Sequence, residues 1–163
     1  MAVRVLVLSL LVFVAAFGTH EVMHLLVIYA VGGSGSIIVR PWRLGLVDFT
    51  IYALHAQPAQ PLDLTRQAIV NFLGPFLAAI PLLALLVYVR EPVVVPALIA
   101  NVVILFFYSI IEGGDLLLEA VQHVDVPLLT WPEFNYGVPA LIILLTVLAV
   151  RLLAAIRGRR IPD

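Results

Sequence analysis

Four long runs of apolar residues, separated by polar stretches, dominate the pattern of the chain. They cover about residues 3–31, 68–89, 93–111 and 138–153. A helix that crosses the hydrocarbon core of a bilayer needs roughly 20 mostly apolar residues. The pattern therefore predicts about four transmembrane helices, of which the first is longer than one crossing requires. Residues 90–92 predict a tight turn, which makes the second and third helices antiparallel neighbours.

The polar stretch after the first helix has a different pattern. Glycines between residues 32 and 35 end the helix, and β-rich runs follow at residues 36–40 and 46–54. Two such runs, joined here through residues 41–45, are typical of a β-hairpin. We therefore expect a small hairpin region at about residues 33–56, between the first and second transmembrane helices.

Composition indicates a membrane protein. The chain is 63% hydrophobic and 12% charged, with a mean hydropathy of +1.15. Soluble domains are about half apolar and a quarter charged, so this excess of apolar surface requires lipid to cover it. We expect residues 1–163 to form one membrane-embedded domain of an all-α, multi-pass integral membrane protein, with the cell membrane as its location. The formal net charge of −1 argues against a nucleic-acid partner, because phosphate binding needs a basic surface.

One motif in the first apolar run carries recognisable chemistry. Residues 20–24 read H-E-x-x-H. Residues four apart lie on one face of a helix, so His20 and His24 can bind one Zn²⁺ together. Glu21 follows the first histidine and can take a proton from a water molecule that the metal activates. The motif therefore predicts a zinc site with His20 and His24 as ligands and Glu21 as the general base.

The location of the H-E-x-x-H motif in a membrane helix strengthens its interpretation as a metal site. His20, Glu21 and His24 are three ionisable residues in an otherwise apolar membrane helix. Each such residue costs roughly 2.5–3.5 kcal/mol on insertion scales. A bound metal ion would compensate for this insertion cost. If the motif occurred by chance, the cost would have no explanation.

The third metal ligand must come from another part of the chain. A catalytic zinc site usually has three protein ligands and one position open to water. Asp115 is the first choice, because Gly113 and Gly114 precede it and allow the backbone to kink or unwind and bring the carboxylate to the metal. An N-cap of the following segment is the other interpretation of Asp115, and Glu112 is the alternative ligand. The remaining candidates are Glu119, His123 and His55, of which His55 is expected to lie in a loop.

Two asparagines interrupt the apolar segments. Asn71 and Asn101 both suit hydrogen bonding between helices. For Asn71, binding of a substrate backbone or of an oxyanion is an equal alternative. Gly74 and Pro75, which follow Asn71, predict close helix approach or a kink.

With these residues the chain resembles the site-2 protease family of intramembrane zinc metalloproteases, in a minimal form. The resemblance rests on the H-E-x-x-H helix, the hairpin region, the Asn71 to Pro75 segment and Asp115 near the end of the third helix. It implies a three-helix catalytic core and a zinc ion bound by His20, His24 and Asp115. It also implies a transmembrane substrate, to which the hairpin offers an edge strand.

The expected function is hydrolysis of a peptide bond in or near a transmembrane segment of a membrane protein, by zinc-activated water with Glu21 as base. The substrate is then a transmembrane protein or peptide in the lipid bilayer. The alternatives are a non-proteolytic metal-binding membrane protein, such as a transporter or an inactive relative, and a structural subunit with a chance motif. Glu21 separates the first two, because a site that only binds metal has no need of a carboxylate between its histidines.

Overall fold

Four helices and one β-hairpin make up the described part of the chain. The structure is a computed structural model and describes residues 1–44, 48–122 and 131–158. The elements, in chain order, are α1 (Ala2–Ala30), β1 (Gly35–Leu44), β2 (Phe49–Pro58), α2 (Leu64–Tyr88), α3 (Val94–Gln122) and α4 (Pro132–Gly158).

All four of these helices are long and apolar enough to cross a membrane. Their outward faces carry exposed large apolar side chains, such as Leu11 and Val14 on α1 and Leu148 on α4. Exposure of this kind is stable in hydrocarbon, which lacks the water that drives such side chains inward. The protein is therefore a multi-pass membrane protein, and the predicted class of four apolar helices with a small antiparallel sheet between α1 and α2 is confirmed.

The start of α2 lies next to the hairpin and is fixed by a side-chain cap. Asp63 accepts a hydrogen bond from the Arg66 backbone N–H at 2.9 Å, and its carboxylate also lies 3.2 Å from the Arg66 guanidinium. Two prolines, Pro75 and Pro81, lie inside α2 without ending it. Membrane helices tolerate such prolines where neighbouring elements satisfy the freed backbone groups.

The close packing of α2 against α3 uses small side chains. Ser109 on α3 donates a hydrogen bond to the Phe72 carbonyl oxygen at 2.7 Å. One turn further along α3, a Cβ added to Gly113 would lie 2.8 Å from the Phe72 Cβ, so only glycine allows this approach. Small residues at such contacts let helix backbones come together in membranes.

Helix α3 continues well beyond its predicted end. The prediction placed the end near residue 111, before Gly113 and Gly114, whereas the helix runs to Gln122. A glycine costs a helix only about 1 kcal/mol relative to alanine, and Gly113 offsets this through its contact with Phe72. Of the expected kink or unwinding before Asp115, the unwinding is therefore wrong.

The hairpin has the predicted location but different strand bounds. Its ten-residue strands pair antiparallel from Gly35 with Pro58 to Leu44 with Phe49. The stretch at 41–44, predicted as part of the turn, continues β1. Pro41 is tolerated there because a proline in an edge strand need not donate to the ladder. Ala56 on β2 is buried against Val27, Ile28 and Val70, which anchors the hairpin to α1 and α2.

Asn101 serves helix packing. It is fully buried, and its Nδ2 donates to the Ser9 carbonyl oxygen on α1 at 3.1 Å and to the Ala97 carbonyl oxygen at 2.9 Å. The contact matches the interhelical interpretation of Asn101.

Candidate metal centre

His20 and His24 lie one turn apart on the same face of α1. Both are buried, with 1% and 7% of their surface exposed. Their Nε2 atoms are 2.6 Å apart. The four-residue spacing in the sequence thus brings two imidazole nitrogens to one point inside the helix bundle.

Glu112 on α3 completes the group. Its Oε2 lies 3.1 Å from His24 Nε2 and 3.5 Å from His20 Nε2. The ligand atoms of His20, His24 and Glu112 all lie within 4.8 Å of one another. Among the described residues, these three form the group that could hold a metal ion. The structure therefore groups the alternative ligand with the histidines, and not Asp115, the first choice.

Asp115 still lies close to the group. On a continuous helix, residues three apart are neighbours on one face, and Asp115 lines the same cavity as Glu112. Of the other candidates, Glu119 has no described side chain and His123 lies outside the described residues.

The orientation of the His24 ring prepares its Nε2 to bind a cation. His24 Nδ1 lies 2.9 Å from the Val70 carbonyl oxygen. Because a carbonyl oxygen only accepts hydrogen bonds, Nδ1 must carry the proton, and Nε2 of the neutral ring is then bare. A backbone carbonyl in this role fixes the tautomer of metal-binding histidines.

The donor set fits a zinc ion. The bare His24 Nε2 faces a second ring nitrogen and a carboxylate oxygen, and one cation between the three would satisfy them together. Two histidines and one carboxylate are an established set for catalytic zinc. Ring nitrogens that share a tetrahedral Zn²⁺ lie roughly 3.3 Å apart at the usual bond lengths, so the two rings must separate by less than about 1 Å to admit it.

Gly74 on α2 makes room for the His24 ring. A Cβ added at Gly74 would overlap the ring, at 2.5 Å from Cε1 and 2.6 Å from Cγ. The ring cannot retreat without losing its contacts with Val70 and Glu112. This close approach was predicted from Gly74 and Pro75, and the structure identifies the group approached.

Gly74→Ala should therefore disturb the centre directly. We expect overpacking to cost about 1–3 kcal/mol of stability and displacement of the ring to weaken zinc binding at least about 10-fold, as loss of an orienting partner does. Zinc titration against a chromophoric chelator and thermal unfolding measure both effects. Gly18→Ala is the matched control, because a Cβ there meets nothing within 4 Å. Equal zinc affinity in the two variants would contradict the role given to Gly74.

His20 is held by rings instead of by a hydrogen bond. Its Nδ1 is buried without a hydrogen-bond partner among the described residues. Tyr108 stacks on the ring at a centroid distance of 5.5 Å, and Phe17 meets it edge-on at 5.9 Å. The Tyr108 hydroxyl in turn donates to the Asn135 carbonyl oxygen at 2.5 Å, which connects α4 to this side of the centre.

Glu21 lies apart from the three donors and is held by the hairpin. The Ala56 backbone N–H on β2 donates a hydrogen bond to Glu21 Oε2 at 2.7 Å. The carboxylate is 6% exposed and lines the cavity that contains the donors. This position suits a base that acts beside a metal better than it suits a fourth ligand, because one oxygen is oriented and the other is left to receive a proton.

The cavity around the centre has a volume of about 290 Å³ and receives residues from every helix and from both strands. Asn71 lines it; its Oδ1 accepts from Gln67 Nε2 at 2.7 Å, and its Nδ2 lies 3.4 Å from the Glu112 carbonyl oxygen. The polar or aromatic lining residues that the sequence did not single out are Phe17, Trp42, Gln67, Tyr108, Asn135 and Tyr136. For Gln67 a signal existed, since it precedes Asn71 by one turn at the polar start of α2.

His55 is the candidate whose environment differs most from its prediction. It was expected in a loop, but it lies in β2, opposite Ile38. Its side chain lines the same cavity as the three donors, although it is not one of them.

Comparisons with known proteins leave the family open. No family model, curated protein or solved structure matches the chain. The resemblance to site-2 proteases therefore remains a prediction that rests on the residues themselves.

Proposed function

We propose that the protein is an intramembrane zinc endopeptidase that hydrolyses a peptide bond in or near a transmembrane segment of its substrate. The observation that carries this proposal is the convergence of His20, His24 and Glu112 in one cavity with Glu21. Glu112 takes the place of Asp115 as the proposed third ligand. Asp115 and Asn71 remain within the same cavity, where they can contact a bound peptide.

The depth of the donors supports a substrate within the membrane. Ten residues separate His20 from the end of α1 at Ala30. At 1.5 Å per residue this is about 15 Å, and the 29 residues of α1 together span about 44 Å, which is longer than a hydrocarbon core of about 30 Å. His20 therefore lies within the core even if the whole excess of α1 protrudes on the hairpin side. A peptide bond presented to His20 then belongs to a segment in or at the edge of the bilayer.

The residues of the chain have separate tasks in this mechanism. His20, His24 and Glu112 hold the metal, and the Val70 carbonyl keeps His24 Nε2 available by binding its Nδ1–H. When bound, zinc supplies Lewis-acid polarisation of the peptide carbonyl and lowers the pKa of water. Glu21, oriented by the Ala56 N–H, takes the proton of the attacking water on its other oxygen and delivers it to the amide nitrogen.

Removal of the metal should abolish the activity. We expect protein treated with a strong chelator to stop cleaving a single-span substrate in detergent micelles, and stoichiometric Zn²⁺, but not Mg²⁺, to restore cleavage. Histidine nitrogens favour zinc, whereas magnesium prefers oxygen ligands. Elemental analysis verifies that the metal has been removed.

Two outcomes of that experiment would count against the proposal. Full activity in protein shown to be zinc-free would exclude a zinc mechanism. Zinc bound at about one ion per chain without any cleavage would favour the alternative, a membrane protein that binds metal without proteolysis.

A further inference from the structure

His55 projects into the reaction cavity from a fixed position. It lies in β2 directly before Ala56, whose N–H holds Glu21 Oε2 at 2.7 Å. Ladder pairing of His55 with Ile38 and burial of Ala56 fix this part of the strand. The imidazole and the Glu21 carboxylate are therefore held by adjacent residues of one strand.

Within the described part of the chain, the His55 ring is not committed to any other group. It makes no hydrogen bond to another described residue, and it is not part of the group formed by His20, His24 and Glu112. The His55 nitrogens are not among the fully buried polar atoms that lack a partner, so they are accessible from the cavity. A bound substrate can therefore accept a hydrogen bond from the ring.

Other polar groups around the cavity are already engaged. The Tyr108 hydroxyl donates to the Asn135 carbonyl oxygen. Asn71 receives a hydrogen bond from Gln67 and approaches the Glu112 carbonyl oxygen with its Nδ2. Among the described lining residues, His55, Trp42 and Tyr136 remain as side chains with an uncommitted donor, and of these only His55 is adjacent to the residue that holds Glu21.

The electrostatic surroundings keep the ring suited to donation. Burial lowers the pKa of His55, and nearby Arg40 lowers it further against the opposing effect of Glu21 and Glu112. The ring is then neutral near pH 7 and retains one N–H. A neutral imidazole that polarises a carbonyl oxygen is an established catalytic device.

We propose that His55 is a catalytic hydrogen-bond donor to the carbonyl oxygen of the scissile peptide, a role that rests on the proposed protease function. As water adds to the carbonyl carbon, the C=O π electrons move onto the oxygen, and the His55 N–H donates to it without transferring its proton. Glu21 carries one water proton to the amide nitrogen, and the C–N bond breaks. One water is consumed, an acid and an amine are released, and no other reactant is needed.

His55→Ala and His55→Gln test this role in the full-length protein. Loss of one oxyanion donor typically lowers kcat by about 10²–10³-fold. We expect His55→Ala to show such a loss with little change in KM, while zinc content and thermal unfolding stay at wild-type values. His55→Gln, which retains an N–H donor, should recover part of kcat. Leu54→Ala, an exposed neighbour on the same strand, is the control for effects of the strand itself.

The outcomes separate this inference from the proposed function. Wild-type kcat in His55→Ala would overturn the donor role alone, as would zinc loss in that variant, which would make His55 a ligand. A loss of kcat in Tyr136→Phe without one in His55→Ala would transfer the role to Tyr136. No cleavage by wild type, or equal cleavage by wild type and Glu21→Gln, would overturn the proposed function and the role of His55 together.

Discussion

Glu112→Gln is expected to lose its zinc, whereas Asp115→Asn should keep it. In the structure the Glu112 Oε2 lies 3.1 Å and 3.5 Å from the two histidine nitrogens, and Asp115 is not part of that group. An amide oxygen binds zinc more weakly than a carboxylate oxygen does, because the amide carries no negative charge to offset the charge of the metal. Loss of a group that only orients a ligand costs 10–100-fold in affinity, so loss of the ligand itself should exceed about 100-fold.

The two variants control for each other. Each replaces a carboxylate by its amide, and the two positions are three residues apart on the same helix, so general effects of charge removal from α3 are matched. Elemental analysis after purification and competition with a chelator of known affinity measure the outcome. Zinc loss in Asp115→Asn with zinc retained in Glu112→Gln would restore the ligand set implied by the family resemblance.

The helices and the hairpin could be predicted because their signals are local. An apolar run of about 20 residues specifies a membrane helix by its own length, and alternating β-rich runs after a glycine cluster specify a hairpin. The errors occur at boundaries. Pro41 continues β1 because an edge strand does not require its N–H. Helix α3 continues to Gln122 because Gly113 packs closely against Phe72.

The histidine pair could be predicted for the same local reason. His20 and His24 belong to one helix, so their spacing alone brings them to one face. The third ligand depends on how α3 packs. Whether Glu112 or Asp115 meets the histidines is decided by the rotation of α3 against α2, which the contacts of Gly113 and Ser109 with Phe72 determine. The sequence near residue 112 does not indicate these contacts, so the choice between Glu112 and Asp115 could not be predicted from it.

The role of the hairpin also depends on tertiary structure. Ala56 has no polar side chain, and its contribution to the centre is a backbone N–H aimed at Glu21. His55 gave a signal by its residue type, but its spacing from the motif does not indicate that β2 folds back onto α1. Contacts between distant parts of the chain are the ones that a single sequence reports least.

Glu21→Gln tests the central claim that the centre performs zinc-dependent hydrolysis. The change removes the proton acceptor but keeps the shape of the side chain and an oxygen that can accept from Ala56. General base catalysis contributes typically 10²–10⁴-fold, so we expect a fall in kcat within that range. Zinc content should be unchanged, because Glu21 is not one of the three donors.

The most direct measurement is the cleavage rate of a single-span substrate by wild type and Glu21→Gln, with zinc content determined on the same samples. We expect about one zinc per chain in both proteins and cleavage that is at least about 100-fold slower in the variant. Equal cleavage by two proteins that contain equal zinc would contradict zinc-dependent hydrolysis with Glu21 as the base.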